Sequence, residues 1–251
     1  MFLVFDIETV PDVDSLGRWL GEPPDAPPDH ILARWQAASP TAVMPKLPFH
    51  QVVAIAGAVI DDDGQLETLK AMGDPGDGEV ELLERFFGYV ERARPRLVGW
   101  NSSGFDLPCL LYRALKHGTV LPQFYRQRNY RYRYNEDLHL DLMDLLSGYG
   151  ASTRVSLDEM AAVLGVPGKL DVAGADVWPL YRAGAIDTIR AYCETDVLTT
   201  TLIFARYAHH RGWLDADRAA ALHASVQRFL AARGEGHWQR FRAAWDGLGA
   251  S

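Results

Sequence analysis

The order of apolar segments predicts an α/β protein in which helices flank a mixed β-sheet. Three strand-like runs come first, at residues 2–7, 51–60 and 66–72, and the turn residues between the last two indicate a hairpin. Helical spacing then alternates with short apolar runs, which is typical of parallel strands joined by helices. We therefore expect an antiparallel meander followed by parallel neighbours in one sheet.

The later segments fill in this alternation. Residues 79–94 predict a helix that Pro95 stops, and residues 96–100 predict a buried strand that ends in a polar turn. A helix from about Asp106 to His117 follows, and then a strand at 138–142, a helix capped by Ser156 and Glu159, and a long helix at 186–207. This is a ribonuclease H-like order, although the pattern alone also fits other α/β arrangements.

Two segments lie outside this alternation of strands and helices: a proline-rich segment after the first strand and a C-terminal segment. Residues 20–48 hold seven prolines and a short helical pattern around 31–38, which indicates a surface excursion near the end of the first strand. After Asp215 the sequence predicts one or two amphipathic helices. We expect residues 1–210 to form a single domain and residues 211–251 to form a C-terminal helical extension packed on it.

Composition limits the classes of function. The net charge of −8 argues against broad adhesion to nucleic acid, so any such contact must be local. No apolar run approaches the roughly 20 residues of a membrane span, and the first residues do not resemble a secretory signal. We expect a cytoplasmic protein with no membrane partner, and protein partners remain unassigned.

Cys109 and Cys193 lie in apolar helical patterns, which predicts small buried thiols without a disulfide.

Four acidic residues and a tyrosine stand at the ends or on the faces of predicted elements. Asp6 and Glu8 are two apart at the end of the first strand, so their side chains share one face of the sheet. Asp106 follows a later strand, where it could also be a plain helix N-cap. Tyr192 and Asp196 are four apart on the long helix and hence neighbours on one face. Carboxylates suit Mg²⁺ or Mn²⁺, and two such ions about 4 Å apart support phosphodiester hydrolysis.

The joint order of these residues carries a family resemblance. Singly, the acid pair could be a solvated strand end, and the helix pair could be a partly buried tyrosine beside a solvated acid. Together, FDIET, GWNSSGFD and YCETD resemble the three exonuclease motifs of the DEDD superfamily, in the subclass whose third motif carries tyrosine. HQVVAIAG, HLDLMDLLSGYG and LDEMAAVLGVPGK further resemble a family of predicted 3′→5′ exonucleases related to the proofreading domain of family B DNA polymerases.

This resemblance implies a freestanding exonuclease that uses two Mg²⁺ or Mn²⁺ ions. Asp6, Glu8 and Asp196 would hold the first ion. Asp6 would also bridge to the second ion, whose water shell would position Asp106. Tyr192 would orient the attacking water, because a phenol with an ordinary pKa near 10 is a poor base at neutral pH.

Candidate substrate contacts fall within and beyond the motifs. Thr9, Asn101 and Phe105 belong to the motifs and are expected to contact the terminal nucleotide, and Lys169 could meet a phosphate. Residues 125–134 interleave four arginines with four tyrosines, the combination expected for single-strand binding. Within this tract the candidate contacts are Arg131 and Arg133. The alternative is a loop whose arginines pair with surface acids.

The leading hypothesis is a 3′→5′ exonuclease for single-stranded or unpaired DNA ends, with little sequence preference. An exoribonuclease is the nearest alternative, because the same carboxylate chemistry serves both and only contacts to the 2′-hydroxyl distinguish them. A noncatalytic nucleic-acid-binding module is disfavoured, since a degenerate site would be free to lose the five motif residues.

Overall fold

A five-stranded mixed sheet forms the centre of the protein. The computed structural model describes residues 1–126, 130, 132–170 and 172–248. The strands are β1 (Phe2–Pro11), β2 (His50–Ile60), β3 (Leu66–Ala71), β4 (Arg96–Gly99) and β5 (His139–Asp141). Their order across the sheet is β3-β2-β1-β4-β5. The pairs β1/β2 and β2/β3 are antiparallel, whereas β1/β4 and β4/β5 are parallel, which confirms the predicted arrangement.

Helices cover both faces of this sheet. The long predicted helices at 79–94, 106–117 and 186–207 are present, and the last continues to His210. The sequence analysis does not predict four short helices, because segments this short, without a capping box, show too little of a 3.6-residue period: α1 (Val13–Leu20), α5 (Pro122–Arg126), α6 (Leu142–Leu146) and α8 (Val177–Arg182). The α-helices of the described residues are α1 (Val13–Leu20), α2 (Pro28–Ala38), α3 (Glu79–Ala93), α4 (Asp106–His117), α5 (Pro122–Arg126), α6 (Leu142–Leu146), α7 (Leu157–Leu164), α8 (Val177–Arg182), α9 (Ile186–His210), α10 (Ala216–Ala231) and α11 (Gly236–Gly247).

The side chains of β1 alternate between two cores, one on each face of the sheet. Leu3, Phe5 and Ile7 pack into the core that includes α3 and α4. Val4 belongs to the other core, beneath α9. Because successive strand side chains point to opposite faces, Asp6 lies on the α9 face with Val4. The apolar packing of β1 therefore decides which way its acids point.

The proline-rich excursion folds over the end of β1. Its helix begins at Pro28, earlier than the pattern around 31–38 indicates, because proline is well placed in a first helical turn. Leu16 of α1 packs with Ile31 and Trp35 of α2 in a small separate core. The excursion is thus stabilised by a small apolar core of its own and lies beside the end of β1.

The C-terminal helices share the core of the α9 face. Leu222 and Val226 of α10 and Phe241 of α11 are fully buried there. In the described ranges, no helix is both long and apolar enough to cross a bilayer.

A buried ion network ties α1, α3 and α4 together. Arg113, on α4, is 1% exposed. Its Nε and Nη2 donate to the two carboxylate oxygens of Glu79, each at 2.6 Å, and its Nη1 donates to Asp12 Oδ2 at 2.6 Å. Asp12 also caps α1, and Lys116 and His117 extend the network to the same two acids. One guanidinium therefore joins three elements around the end of β1.

Replacing Arg113 with alanine should lower the free energy of unfolding by about 3–5 kcal/mol, because it leaves two buried carboxylates without their main partner. Denaturant unfolding measures the change. Arg85→Ala is the matched control: Arg85 is 51% exposed and pairs with Asp77, so it should cost no more than about 1 kcal/mol. Equal losses in the two variants would contradict the assigned role of the network.

Candidate active site

Four carboxylates gather where β1, α4 and α9 meet. A ligand atom from each of Asp6, Glu8 and Cys193 lies within 4.8 Å of the other two. Burial raises the pKa of Asp6 well above its ordinary value, and the charges of Asp106, Glu8 and Asp196 add to the rise. The predicted acids are thus close enough to repel one another.

Burial also raises the pKa of each of the other three acids. The pKa of Glu8 is raised by burial and then by the charges of Asp196 and Asp106. Burial raises the pKa of Asp106 to about 7 and that of Asp196 to about 6. Lys169 partly offsets this by lowering the pKa of Glu8 and Asp196. A crowded pocket of hard oxygen donors is costly without a counter-charge, and its donor chemistry fits divalent cations such as Mg²⁺ or Mn²⁺.

Asp106 is held against β1 from the start of α4. The N-cap of this helix is Phe105, which makes no side-chain capping bond, and Asp106 is the first helical residue. The alternative interpretation of Asp106 as a plain N-cap is therefore wrong. Its Oδ1 instead accepts a hydrogen bond from the backbone N–H of Ile7 at 3.2 Å. This bond fixes the carboxylate beside the strand that carries Asp6 and Glu8.

Asp141 organises the loop that leads to Asp106, a role that the sequence reasoning missed. Its Oδ1 accepts from the N–H of Asn101 at 3.0 Å, and its Oδ2 accepts from the N–H of Ser103 at 2.9 Å. It also accepts from two amides of α6 and so caps that helix. Because β4 and β5 are parallel and pair Gly99 with Asp141, an acid at the end of β5 meets the loop after β4. An acid at the end of a strand that is parallel to β4 is therefore the sequence feature from which this role could have been predicted.

The loop itself depends on close backbone approach. Asn101 adopts φ +58°, in the left-handed region. A Cβ at Gly99 would lie 2.5 Å from the Cβ and Oγ of Ser102, far inside van der Waals contact. Glycine at this position therefore lets the chain turn sharply between β4 and α4.

Tyr192 and Cys193 bring two neutral donors to the acids from α9. The Tyr192 phenol lies close enough to the Asp196 carboxylate for each group to shift the pKa of the other. Burial and then the negative charges of Asp196, Glu8 and Asp6 raise its pKa, so the phenol stays protonated. The Cys193 thiol lies 3.4 Å from the backbone oxygen of Asp6 and 3.6 Å from its Oδ2. Cys193 is buried as predicted, but it is more than a packing residue, because it contacts an acid of the cluster.

Thr9 is held by a buried histidine. His50 Nε2 lies 2.9 Å from the carbonyl of Pro45, which can only accept, so this nitrogen carries the proton. Its Nδ1 therefore accepts from the Thr9 hydroxyl at 2.9 Å. Burial lowers the pKa of His50, which keeps the ring neutral. Antiparallel pairing of β1 with β2 brings His50 beside Thr9, a proximity that the linear sequence does not reveal.

A cleft of about 1260 Å³ opens beside Glu8. The end of β1, the proline-rich excursion, the start of α4 and α8 form its walls. Most of its lining is apolar, and two of the predicted substrate contacts, Thr9 and Phe105, are part of it. The proline-rich excursion contributes Trp35, Val43 and Pro45 to the lining, α4 contributes Tyr112, and α8 contributes Trp178.

The remaining predicted contacts lie around the cluster or apart from it. Lys169 is exposed, and its charge reaches Glu8 and Asp196. Arg133 makes a two-bond ion pair with Asp144, Nε to Oδ2 at 2.5 Å and Nη2 to Oδ1 at 2.6 Å. The pairing alternative thus holds for Arg133, although its partner is buried and not a surface acid. Arg131 lies outside the described residues.

Replacing Asp141 with alanine should loosen the loop before Asp106, because two loop amides and two helix amides lose a charged acceptor. We expect a loss of about 3 kcal/mol in the free energy of unfolding and faster amide hydrogen exchange in residues 101–104. Asp61→Ala is the control, since that carboxylate accepts from two amides of the β2–β3 turn, remote from the cluster. Unchanged exchange in 101–104 would show that Asp141 does not organise this loop.

Comparison with known proteins places this architecture in a family. The profile of a family described as a predicted 3′-5′ exonuclease related to the exonuclease domain of PolB matches residues 43–245. The matched span includes Asp106, Tyr192 and Asp196 and begins after Asp6 and Glu8. No curated protein matches the chain.

A solved structure has the same fold. The family B DNA polymerase of the hyperthermophilic archaeon Pyrobaculum calidifontis aligns with a TM-score of 0.53 and 20% identity, over 82% of this chain and 24% of the polymerase. The chain thus spans about a quarter of that protein's length, and the likeness confirms the predicted ribonuclease H-like fold. Because the family match covers more than half of the chain, this protein belongs to the family of predicted 3′-5′ exonucleases related to the exonuclease domain of PolB.

Proposed function

We propose that the protein is a two-metal-ion 3′→5′ exonuclease that hydrolyses phosphodiester bonds at the 3′ end of single-stranded or unpaired DNA. The observation that carries the proposal is the buried cluster of Asp6, Glu8, Asp106 and Asp196 at the edge of a large cleft. Membership of the exonuclease family supports the reaction class and its direction. Residues 1–210 would carry the chemistry, with 211–251 as a helical extension of the same domain.

The carboxylates are the residues that would hold the ions. Asp6, Glu8 and Asp196 would bind one, and Asp6 and Asp106 would serve the second. When bound, divalent ions supply positive charge to the phosphate and to the water that attacks it. They would also relieve the repulsion that raises the pKa of these acids.

Neutral groups around the acids would position the reactants. Tyr192 keeps its proton, so it would orient a water by hydrogen bonding and would not remove a proton from it. The Thr9 hydroxyl donates its hydrogen bond to His50 Nδ1, which leaves the lone pairs of the Thr9 oxygen free to accept. The terminal 3′-hydroxyl of a strand is a donor that fits such an oxygen. Lys169 would add positive charge near the phosphate.

The apolar cleft supports an unpaired end as the substrate. Its walls include Trp35, Phe105 and Trp178. The rings of these residues can stack on the faces of bases but cannot replace a Watson–Crick pairing partner. A base that enters the cleft would leave its pairing partner, which costs least for single-stranded or mismatched ends.

An exoribonuclease is the second candidate, because the same acids and the same acceptor at Thr9 would serve an RNA end. A noncatalytic binding module is disfavoured by electrostatics. Four buried carboxylates that repel one another destabilise the folded protein, and they also repel a negatively charged nucleic acid. A module that only binds nucleic acid would therefore gain nothing from them.

Replacing Asp106 with asparagine should reduce hydrolysis of 5′-labelled single-stranded DNA by at least about 100-fold, since the loss of one ligand removes several kcal/mol of charge stabilisation. The assay compares single-stranded, paired and mismatched DNA and RNA with Mg²⁺, Mn²⁺ or chelator. Asp217→Asn, an exposed acid of α10, is the control and should act as wild type. Undiminished turnover in the Asp106 variant, or cleavage in chelator, would refute the proposed mechanism.

The same variant should separate stability from metal binding. Asparagine keeps an acceptor for the N–H of Ile7 and removes one charge from the cluster, so in chelator the variant should be at least as stable as wild type. Mn²⁺ at about 100 times its dissociation constant should stabilise wild type by about 2.7 kcal/mol and the variant by much less. Thermal unfolding with and without Mn²⁺ measures both effects. A variant less stable in chelator would mean that Asp106 serves the fold alone.

A further inference from the structure

A second groove adjoins the cleft along the exposed face of α4. We call it the α4 groove; its volume is about 350 Å³, and its lining includes Leu111, Tyr112, Leu115, Tyr125 and Arg133. Tyr112 lines both the groove and the cleft. We propose that the α4 groove binds the nucleotides that precede the terminal one, in a single strand whose 3′ end lies in the cleft. This inference rests on the proposed function and adds the path of the strand to it.

Geometry connects the groove to the acid cluster. The cleft contains Glu8, and Tyr112 forms a wall common to the cleft and the groove. The helix that begins at Asp106 rises about 1.5 Å per residue, so Tyr112 stands about 9 Å and Leu115 about 13 Å along it. Adjacent nucleotides of one strand are separated by about 3.4 Å or more. The groove therefore begins within the first few nucleotides of a strand whose end reaches the acids.

The exposed side chains of the groove suit bases. Tyr112 is 46% exposed, and Leu115 is 79% exposed, so both leave apolar surface in water. Tyr125 adds a second half-exposed ring. Stacking of a base on an aromatic ring is worth about 1–3 kcal/mol and tolerates any base, as an exonuclease that removes successive nucleotides requires.

The charge at the rim suits phosphate. Asp144 is buried and pairs with two exposed guanidinium groups, those of Arg133 and Arg154, so the three side chains together carry one positive charge in excess. Arg133 uses Nε and Nη2 for the ion pair, and its Nη1 takes no part in it. The guanidinium is thus held rigidly at the groove with donors left for a phosphate oxygen.

A groove elsewhere on the protein provides a contrast. Tyr89 lines a groove of about 340 Å³ together with Lys70, Arg85 and Arg92, on the β2 and α3 side of the sheet. It has a tyrosine and three basic residues, yet it shares no lining residue with the cleft. Charge and aromatic character are therefore common to both grooves, and continuity with the acids distinguishes the α4 groove.

Binding of labelled oligothymidylates of two and eight nucleotides to the full chain, in chelator so that no cleavage occurs, tests the proposal by fluorescence anisotropy. Tyr112→Ala should weaken binding of the eight-nucleotide strand by about tenfold, as expected for one lost stacking contact. Leu115→Glu should also weaken it and should change the two-nucleotide affinity much less. Their controls, Tyr89→Ala and Val163→Glu, should bind as wild type; Val163 is 76% exposed, so the added charge is matched.

The outcomes separate this proposal from the one on which it rests. Both α4-groove positions are exposed, and thermal unfolding of each variant confirms that it is folded. Eight-nucleotide binding that is unchanged in Tyr112→Ala and Leu115→Glu, with an active wild type, would overturn the α4 groove as the strand path. A wild type that neither binds nor cleaves any strand would instead refute the proposed function.

Discussion

The repulsion among four buried carboxylates is the constraint on which the rest of this structure depends. Asp6, Glu8, Asp106 and Asp196 are each destabilised as anions by burial, and neighbouring charges raise the pKa of Asp6 and Glu8 further. Such a cluster persists only if the surrounding fold stabilises it, because the acids gain nothing from one another. The sheet supplies that stability through two apolar cores. Alternate side chains of β1 pack into these cores, and this packing fixes the face of the sheet toward which the acids of β1 point.

Backbone hydrogen bonds and a buried ion network position the parts of the site. The Ile7 amide holds Asp106, Asp141 holds the loop before it, and His50 holds Thr9 and the wall of the cleft. About two helical turns beyond Asp106 on α4, Arg113 joins the elements that surround the strand end. These groups do not belong to the acid cluster, yet each fixes an element on which a cluster or cleft residue stands. The cluster is thus preorganised by neighbours that need no ion to form their bonds.

The sequence predicts the sheet and its acids because both rest on local rules. A period of two along β1 and a spacing of four between Tyr192 and Asp196 hold whatever the rest of the chain does. The roles of Asp141, Cys193 and His50 could not be read in the same way, because each depends on which strand or helix becomes a neighbour. Arg133 follows the pairing alternative for the basic tract, but its partner Asp144 could not be identified from the sequence, because only folding brings the two side chains together. Short helices such as α1 and α8 cannot be predicted from periodicity, because they contain too few turns to display a 3.6-residue period.

The central claim is that the acid cluster is a site for divalent cations. Diffraction from crystals soaked in Mn²⁺, recorded where manganese scatters anomalously, tests it most directly. The account predicts anomalous peaks within about 2.0–2.2 Å of carboxylate oxygens of Asp6, Glu8 and Asp196, the distances expected for small hard cations. A cluster that stays without anomalous density at Mn²⁺ concentrations that support activity, or density bound only at other acids, would contradict it.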